Sequence, residues 1–146
     1  MRYPFTRLYV HLVWATWDRL PLITPAVQPR IYRCIQAKAG RMRCQLGAIG
    51  GVDDHVHVLV RHPPAVSVSD LVKQIKGASS HLMRQEVRLG EFFKWQGGYG
   101  AFSVSQRDVE MIRGYIHRQE EHHHRAGTVN AALERIAIPD PPLPQA

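Results

Sequence analysis

The sequence predicts one α+β domain, an antiparallel sheet with helices packed on one face in a ferredoxin-like or RRM-like arrangement. Three observations carry this reading. The elements run strand, helix, hairpin, helix, strand, helix; Asp-rich turn chemistry joins the middle pair of strands; and 146 residues leave room for one substantial hydrophobic core.

From Thr6 to Trp17 the residues TRLYVHLVWATW are rich in β-branched and aromatic types and read as the first strand. Pro21, Thr24, Pro25 and Pro29 mark a loop and a helix entry, and Ile31, Ile35 and Ala39 then recur one turn apart, predicting a helix over 28–42. Cys44 to Ile49 reads as a short strand, Gly50 to Asp54 as a turn, and His55 to Arg61 as the returning strand of a hairpin, with Val56 pointing into the core. Pro63 and Pro64 end it. Ser67 or Ser69 can cap a second helix, whose residues Leu71, Val72, Ile75, Ser79 and Leu82 keep helical spacing to about Val87. Beyond Gly90 and Gly97-Gly98, Tyr99 to Val104 reads as another strand. Ser105 or Asp108 can start a third helix bearing Val109, Ile112, Tyr115 and Ile116. The domain is expected to span 1–126, with 127–146 as a tail: a short helix around Val129 to Ile136, then a disordered PDPPLPQA end. There is no internal repeat.

Lysine and arginine number 19 against 12 acidic residues, a formal net charge of +7. The cations are spread along the chain, among them Arg30, Arg33, Lys38, Arg41, Arg43, Arg84, Arg88 and Lys94, so the folded surface itself should be basic and suited to a polyanion. Nucleic acid is favoured over an anionic membrane, because there is no lipidation motif and no apolar run near the ~20 residues that span a bilayer. Two cysteines, Cys34 and Cys44, make neither a disulfide framework nor a paired zinc spacing. Arg2, Arg7 and Asp18 interrupt the apolar N-terminal stretch, so a cytoplasmic protein is expected.

The chemistry begins at DDHVHVLV. In a strand, residues two apart share a face, so His55 and His57 project together while Val56 and Val58 turn away. Two imidazoles on a rigid strand can hold a divalent metal, or they can simply form hydrogen bonds on a half-exposed sheet face. Downstream, Tyr115 and Gln119 stand at i and i+4 on one face of the third helix. An amide oxygen is a hard neutral ligand suited to Mg²⁺ or Mn²⁺, and a tyrosine can serve as nucleophile. Equally, Tyr115 can be a packed aromatic on the stripe of Ile112 and Ile116. His11, on the first strand, either neighbours this site or is a satisfied core histidine. The run Glu120, Glu121, His122, His123, His124 offers further ligands or a solvated helix end.

Five phrases, HLVWATWDRLPLI, DDHVHVLV, LVKQIKGASS, FKWQGGYGAFSVS and YIHRQ, occur in this order. With them the chain resembles, over about residues 5 to 125, the single-tyrosine transposases of bacterial insertion sequences, including the relatives that act on repetitive extragenic palindromes. These are HUH endonucleases, in which U is hydrophobic, and His55-Val56-His57 fits that motif. The resemblance implies the HUH fold, with His55, His57 and Gln119 as ligands of Mg²⁺ or Mn²⁺ and Tyr115 as the residue that attacks DNA. It also implies cleavage and rejoining of single-stranded DNA through a 5′-phosphotyrosine, recognition of DNA hairpins near element ends, and a homodimer in which the tyrosine helix can complete the partner's site. Lys73, Lys76, Ser79, Ser80 and Arg118 are candidate DNA contacts. Trp95 can stack on a base or pack beside Phe92 and Phe93.

Two other classes are compatible with parts of the pattern. A domesticated relative would hold palindromic DNA or RNA without cutting it, although His55, His57, Tyr115 and Gln119 are all intact. A zinc hydrolase would use the histidine-rich helix and a metal-bound water, but the chain lacks an H-E-x-x-H signature.

Overall fold

Tyr9–Ala15 (β1) is buried at every position from Val10 onward, so both of its faces must be covered. The computed structural model, which describes residues 4–87, 91–119 and 143–144, shows how. The elements are β1, α1 (Gln28–Arg41), β2 (Gln45–Val52), β3 (His55–Arg61), α2 (Val68–Leu82), β4 (Gly100–Val104) and α3 (Val109–His117). The four strands form one antiparallel sheet in the order β2-β3-β1-β4, with β1 between β3 and β4. Each crossover skips a strand, which is the split βαβ topology of ferredoxin-like folds and agrees with the expected α+β class.

Alternation along the strands separates two cores. Leu12, Trp14, Val56, Val58 and Val60 face Ile31 and Ile35 of α1 and Leu71 and Ile75 of α2. As expected, Val56 points into this core. On the other side, Leu59 and Ala48 of the sheet meet Ile112, Tyr115 and Ile116 of α3. The expectation that all helices share one face therefore holds for α1 and α2 and is corrected for α3. The cause is visible in β1 and β3, near-continuous apolar runs rather than alternating ones, which bury both faces.

Local signals explain the helix limits. Proline in the first turn opens α1, where it removes no hydrogen bond, and Ser67 caps α2 by accepting from the amide of Asp70 at 3.1 Å. A π-type turn, Met83–Val87, continues α2. A short 3₁₀ turn at Gln106–Asp108 leads into α3.

The hairpin differs from the expected turn over Gly50 to Asp54. β2 runs on to Val52, which pairs with His55, and only Asp53 and Asp54 make the reversal. Gly50 and Gly51 are strand residues instead. A Cβ on Gly50 would lie 2.2 Å from the carbonyl oxygen of Ile116, and one on Gly51 would lie 2.2 Å from that of His55. Here glycine marks close approach of another backbone rather than a turn.

At the far end of β1, Lys94 to Gln96 run alongside: Trp17 N–H donates to Lys94 O and Gln96 N–H to Ala15 O, both at 2.9 Å. This seats Trp95 edge-on to Trp14 and Phe93, with centroids at 5.8 and 5.0 Å. Its indole N–H donates to Ser79 Oγ at 3.0 Å, and that hydroxyl donates to Ile75 O at 2.7 Å. The predicted tail helix and the PDPPLPQA end fall outside the described residues except for Leu143 and Pro144.

Two outcomes follow from this packing. Gly50→Ala drives a methyl group into the backbone of α3 and should lower unfolding stability by about 1–3 kcal/mol in urea titrations. Ser79→Ala leaves the Trp95 N–H buried and unsatisfied and should cost a similar ~1–3 kcal/mol, whatever nucleic acid is present.

Candidate active site

β3 delivers His55 and His57 to the α3 side of the sheet, with ring centroids 5.1 Å apart and both rings buried. The tight reversal at Asp53 and Asp54 starts β3 at His55 and places the Asp54 carboxylate against it: Oδ1 lies 2.7 Å from His55 Nδ1. Across the sheet, His11 of β1 stands opposite Leu59, and Val13 opposite His57. His11 and His57 are thus diagonal neighbours on one face, and His11 Nε2 lies 2.7 Å from His57 Nδ1.

α3 supplies the other two groups. Its docking beside Gly50 lays the Tyr115 ring edge-on to His57, with centroids 5.8 Å apart at 78°, and leaves it 8% exposed. The regular part of α3 ends at His117, but Arg118, at φ −107° and ψ 29°, still donates its N–H to Gly114 O at 3.1 Å, so Gln119 follows one turn beyond Tyr115, as the spacing suggested. Gln119 Nε2 donates to Tyr115 O at 3.2 Å, and its Oε1 lies 3.3 Å from His55 Nε2. His55, His57, Tyr115 and Gln119 therefore meet within a single chain.

This set fits a hard divalent cation. With Asp54 accepting from Nδ1–H, His55 Nε2 carries a lone pair that faces another acceptor, the Gln119 oxygen. Two ligands at right angles on an octahedral ion at ~2.1 Å stand about 3 Å apart, close to the separation seen. Among the described residues no three His, Cys, Asp or Glu side chains form a ligand cluster; the Gln119 amide oxygen beside His55 Nε2 is a further donor that could join the two histidines.

The candidate DNA contacts divide. Lys73 and Arg118 are exposed and Ser80 is half-buried. Lys76 turns its ammonium onto Gln96 O at 2.8 Å and Gly98 O at 3.0 Å, and burial lowers its pKa below the ordinary lysine value. Ser79 is fully buried and engaged with Trp95, and Trp95 itself belongs to the aromatic core. Both are corrected to packing residues, because Trp14 and Phe93 surround the indole. Lys73, Lys76 and Ser80 ride on α2, across the sheet from the histidines. His122, His123 and His124 lie outside the described residues.

His11 was weighed both as a neighbour of this site and as a core histidine, and it is both, buried and bonded to His57. Two further residues near the site were not foreseen in these roles. Asp54 sat in the quoted motif, directly before His55. The exposed tryptophan is Trp17, 40% exposed, with Lys94 Nζ 4.1 Å above its ring. It opens a turn in which Asp18 and Arg19 both take left-handed backbone angles, φ 52° and 54°. Such angles cost on the order of 1 kcal/mol or more each, and Thr16 Oγ1, donating to Leu20 O at 2.6 Å, helps hold them. The turn places the Arg19 guanidinium 3.9 Å from Asp54.

Known proteins share this architecture. The chain is 25% identical over 120 residues to the ISDra2 transposase TnpA of Deinococcus radiodurans, covering 79% of this chain and 86% of that one. A crystal structure from Deinococcus radiodurans R1, of a protein assigned as a transposase, superposes with a TM-score of 0.61 at 27% identity, covering 82% of this chain and 95% of the other. A REP-associated tyrosine transposase solved with a REP hairpin shares the fold, with a TM-score of 0.65 at 16% identity over 88% of this chain and 74% of that one. Residues 4–119 match the family described as "Transposase IS200 like", and the chain belongs to that family.

Proposed function

We propose that this transposase cleaves and rejoins single-stranded DNA through Tyr115, at sites marked by DNA hairpins near the ends of its element. The observation that carries the proposal is the meeting of Tyr115 with His55, His57 and Gln119 in one buried cluster. His55, His57 and Gln119 would hold Mg²⁺ or Mn²⁺, which when bound would supply charge neutralisation at the scissile phosphate. The rest is the work of the chain itself. A phenol titrates near pH ~10 in water, so Tyr115 must give up its proton before its oxygen can attack phosphorus. The attack forms the Tyr–O–P bond, breaks the P–O3′ bond and leaves a 5′-phosphotyrosine and a 3′-OH. Burial of the ring keeps bulk water from hydrolysing that ester. A 3′-OH from another strand then reverses the step, releasing the tyrosine and joining the strands without ATP.

The basic surface supplies affinity. Exposed Lys73 and Arg118 bind phosphates, and Trp17, already carrying Lys94 on its ring, is the exposed indole on which an unpaired base can stack. Binding of a hairpin is supported by the REP-associated relative, which was solved with one. Homodimerisation is carried from the sequence resemblance. Each chain of such a dimer would already hold its own tyrosine against its own histidines.

Incubating the full chain with labelled hairpin DNA and Mn²⁺ should give a covalent adduct that Tyr115→Phe abolishes. An adduct that survives Tyr115→Phe refutes the nucleophile, and activity that is lost only with His57→Ala points to an attacking water. Hairpin binding without an adduct under any metal supports the non-cleaving alternative. Gln119→Ala should weaken Mn²⁺ binding, measured by electron paramagnetic resonance, by at least about 10-fold, whereas Tyr115→Phe leaves it unchanged.

A further inference from the structure

Three histidines are fully buried among the described residues, and the proposed reaction uses only His55 and His57. The third, His11, is 0% exposed in the central strand, with its ring held by Phe102 of β4 at 5.8 Å and by the edge of Tyr115 at 6.2 Å. Its Nε2 lies 2.7 Å from His57 Nδ1, so one proton occupies the line between them.

The position of that proton decides what His57 can do. If His11 donates, Nδ1 of His57 is an acceptor, its proton sits on Nε2, and the nitrogen facing the site cannot bind a cation. If His57 donates from Nδ1, its Nε2 carries the lone pair that can serve the site. Ligating histidines are generally set in this way by a partner on the opposite ring nitrogen. His55 has such a partner in the Asp54 carboxylate, which can only accept while ionised. His57 has no carboxylate at that place. A second anion there would be buried as deeply as His11, at a large desolvation cost.

We propose that His11 is a positioning residue: its Nε2 lone pair accepts the Nδ1–H of His57 and holds His57 in the tautomer whose Nε2 faces the metal site. His11 then carries its own proton on Nδ1 and contributes no net charge. The chain thereby orients its two ligand histidines by different means, a carboxylate at the rim for His55 and a neutral imidazole in the core for His57. The inference rests on the reading of His57 as a cation ligand.

Long-range ¹H–¹⁵N spectra of the metal-free, full-length protein read the tautomer directly. His57 protonated on Nδ1 is the expected result, and His57 protonated on Nε2 overturns the proposal. This measurement needs no variant and decides the matter even if His11→Leu does not fold. In folded variants, Mn²⁺ affinity measured by electron paramagnetic resonance should fall about 10–100-fold in His11→Leu. It should recover to within about threefold of wild type in His11→Gln, whose amide oxygen can accept the same proton. A folded His11→Leu that binds Mn²⁺ as wild type does also overturns it. Unchanged affinity in His57→Ala would instead overturn the metal-site reading beneath the inference, so the two failures are told apart.

Discussion

The seating of α3 on the sheet is the contact on which the candidate site depends. α3 is nine residues long, too short to be stable in isolation, and its position is set by what it docks against. That surface is Ala48, Leu59 and Val104, together with the bare backbone at Gly50, where the carbonyl of Ile116 occupies the space of a side chain. Arg113 adds a tether from the helix, its Nε donating to Gly47 O at 3.0 Å. The approach is close enough for Tyr115 to touch His57 and for Gln119, one turn further on, to reach His55.

The site also shows how a polar cluster survives within a core. His11, His55, His57 and Gln119 are all at most 1% exposed, and each makes a hydrogen bond of its own. Burial without such partners would cost several kcal/mol per group, of order ~2–7 for a neutral amide or hydroxyl. The apolar residues of this face thus serve two ends: Leu59 and Ile112 hold α3 down, and they also lower the local dielectric in which any charge at the histidines would act.

Much of this was legible in the sequence because the signals were local. The i, i+2 spacing of His55 and His57 survives any uncertainty about topology, and proline, Ser67 and the helical spacing of Ile31, Ile35 and Ala39 marked their elements without help from the rest of the chain. What was not legible was long-range. Gly50 and Gly51 carry the same composition as a turn, and only the approach of Ile116 and of the His55 backbone distinguishes the two. Trp95 could stack on a base or pack, and Ser79 could face DNA or the helical stripe, until Trp14 and Phe93 close around the indole and decide for packing. The side of the sheet that α3 takes depends on the burial of both faces of β1 and β3, a property of the folded sheet.

Under the proposed function, the two faces of the sheet would divide the tasks between them. On one, α1 and α2 enclose the larger core and carry exposed cations such as Lys73, a surface that can hold nucleic acid without exposing the reactive groups. On the other, the tyrosine and the histidines are covered, and a groove of about 240 Å³ lined by Gln28, Tyr32, Gly50, Ile116, His117 and Gln119 opens at the C-terminal end of α3. Gln119 belongs both to the groove and to the histidine cluster, so under the proposed function a backbone phosphate approaching along the groove would meet it first. Ile116 and His117 in the last turn of α3, with Gln119 beyond it, form one wall of that groove. That end is held by the Arg118 N–H bond to Gly114 O at 3.1 Å and by the Gln119 side chain on Tyr115 O at 3.2 Å, and the terminus of a short, docked element is where it opens at the lowest cost.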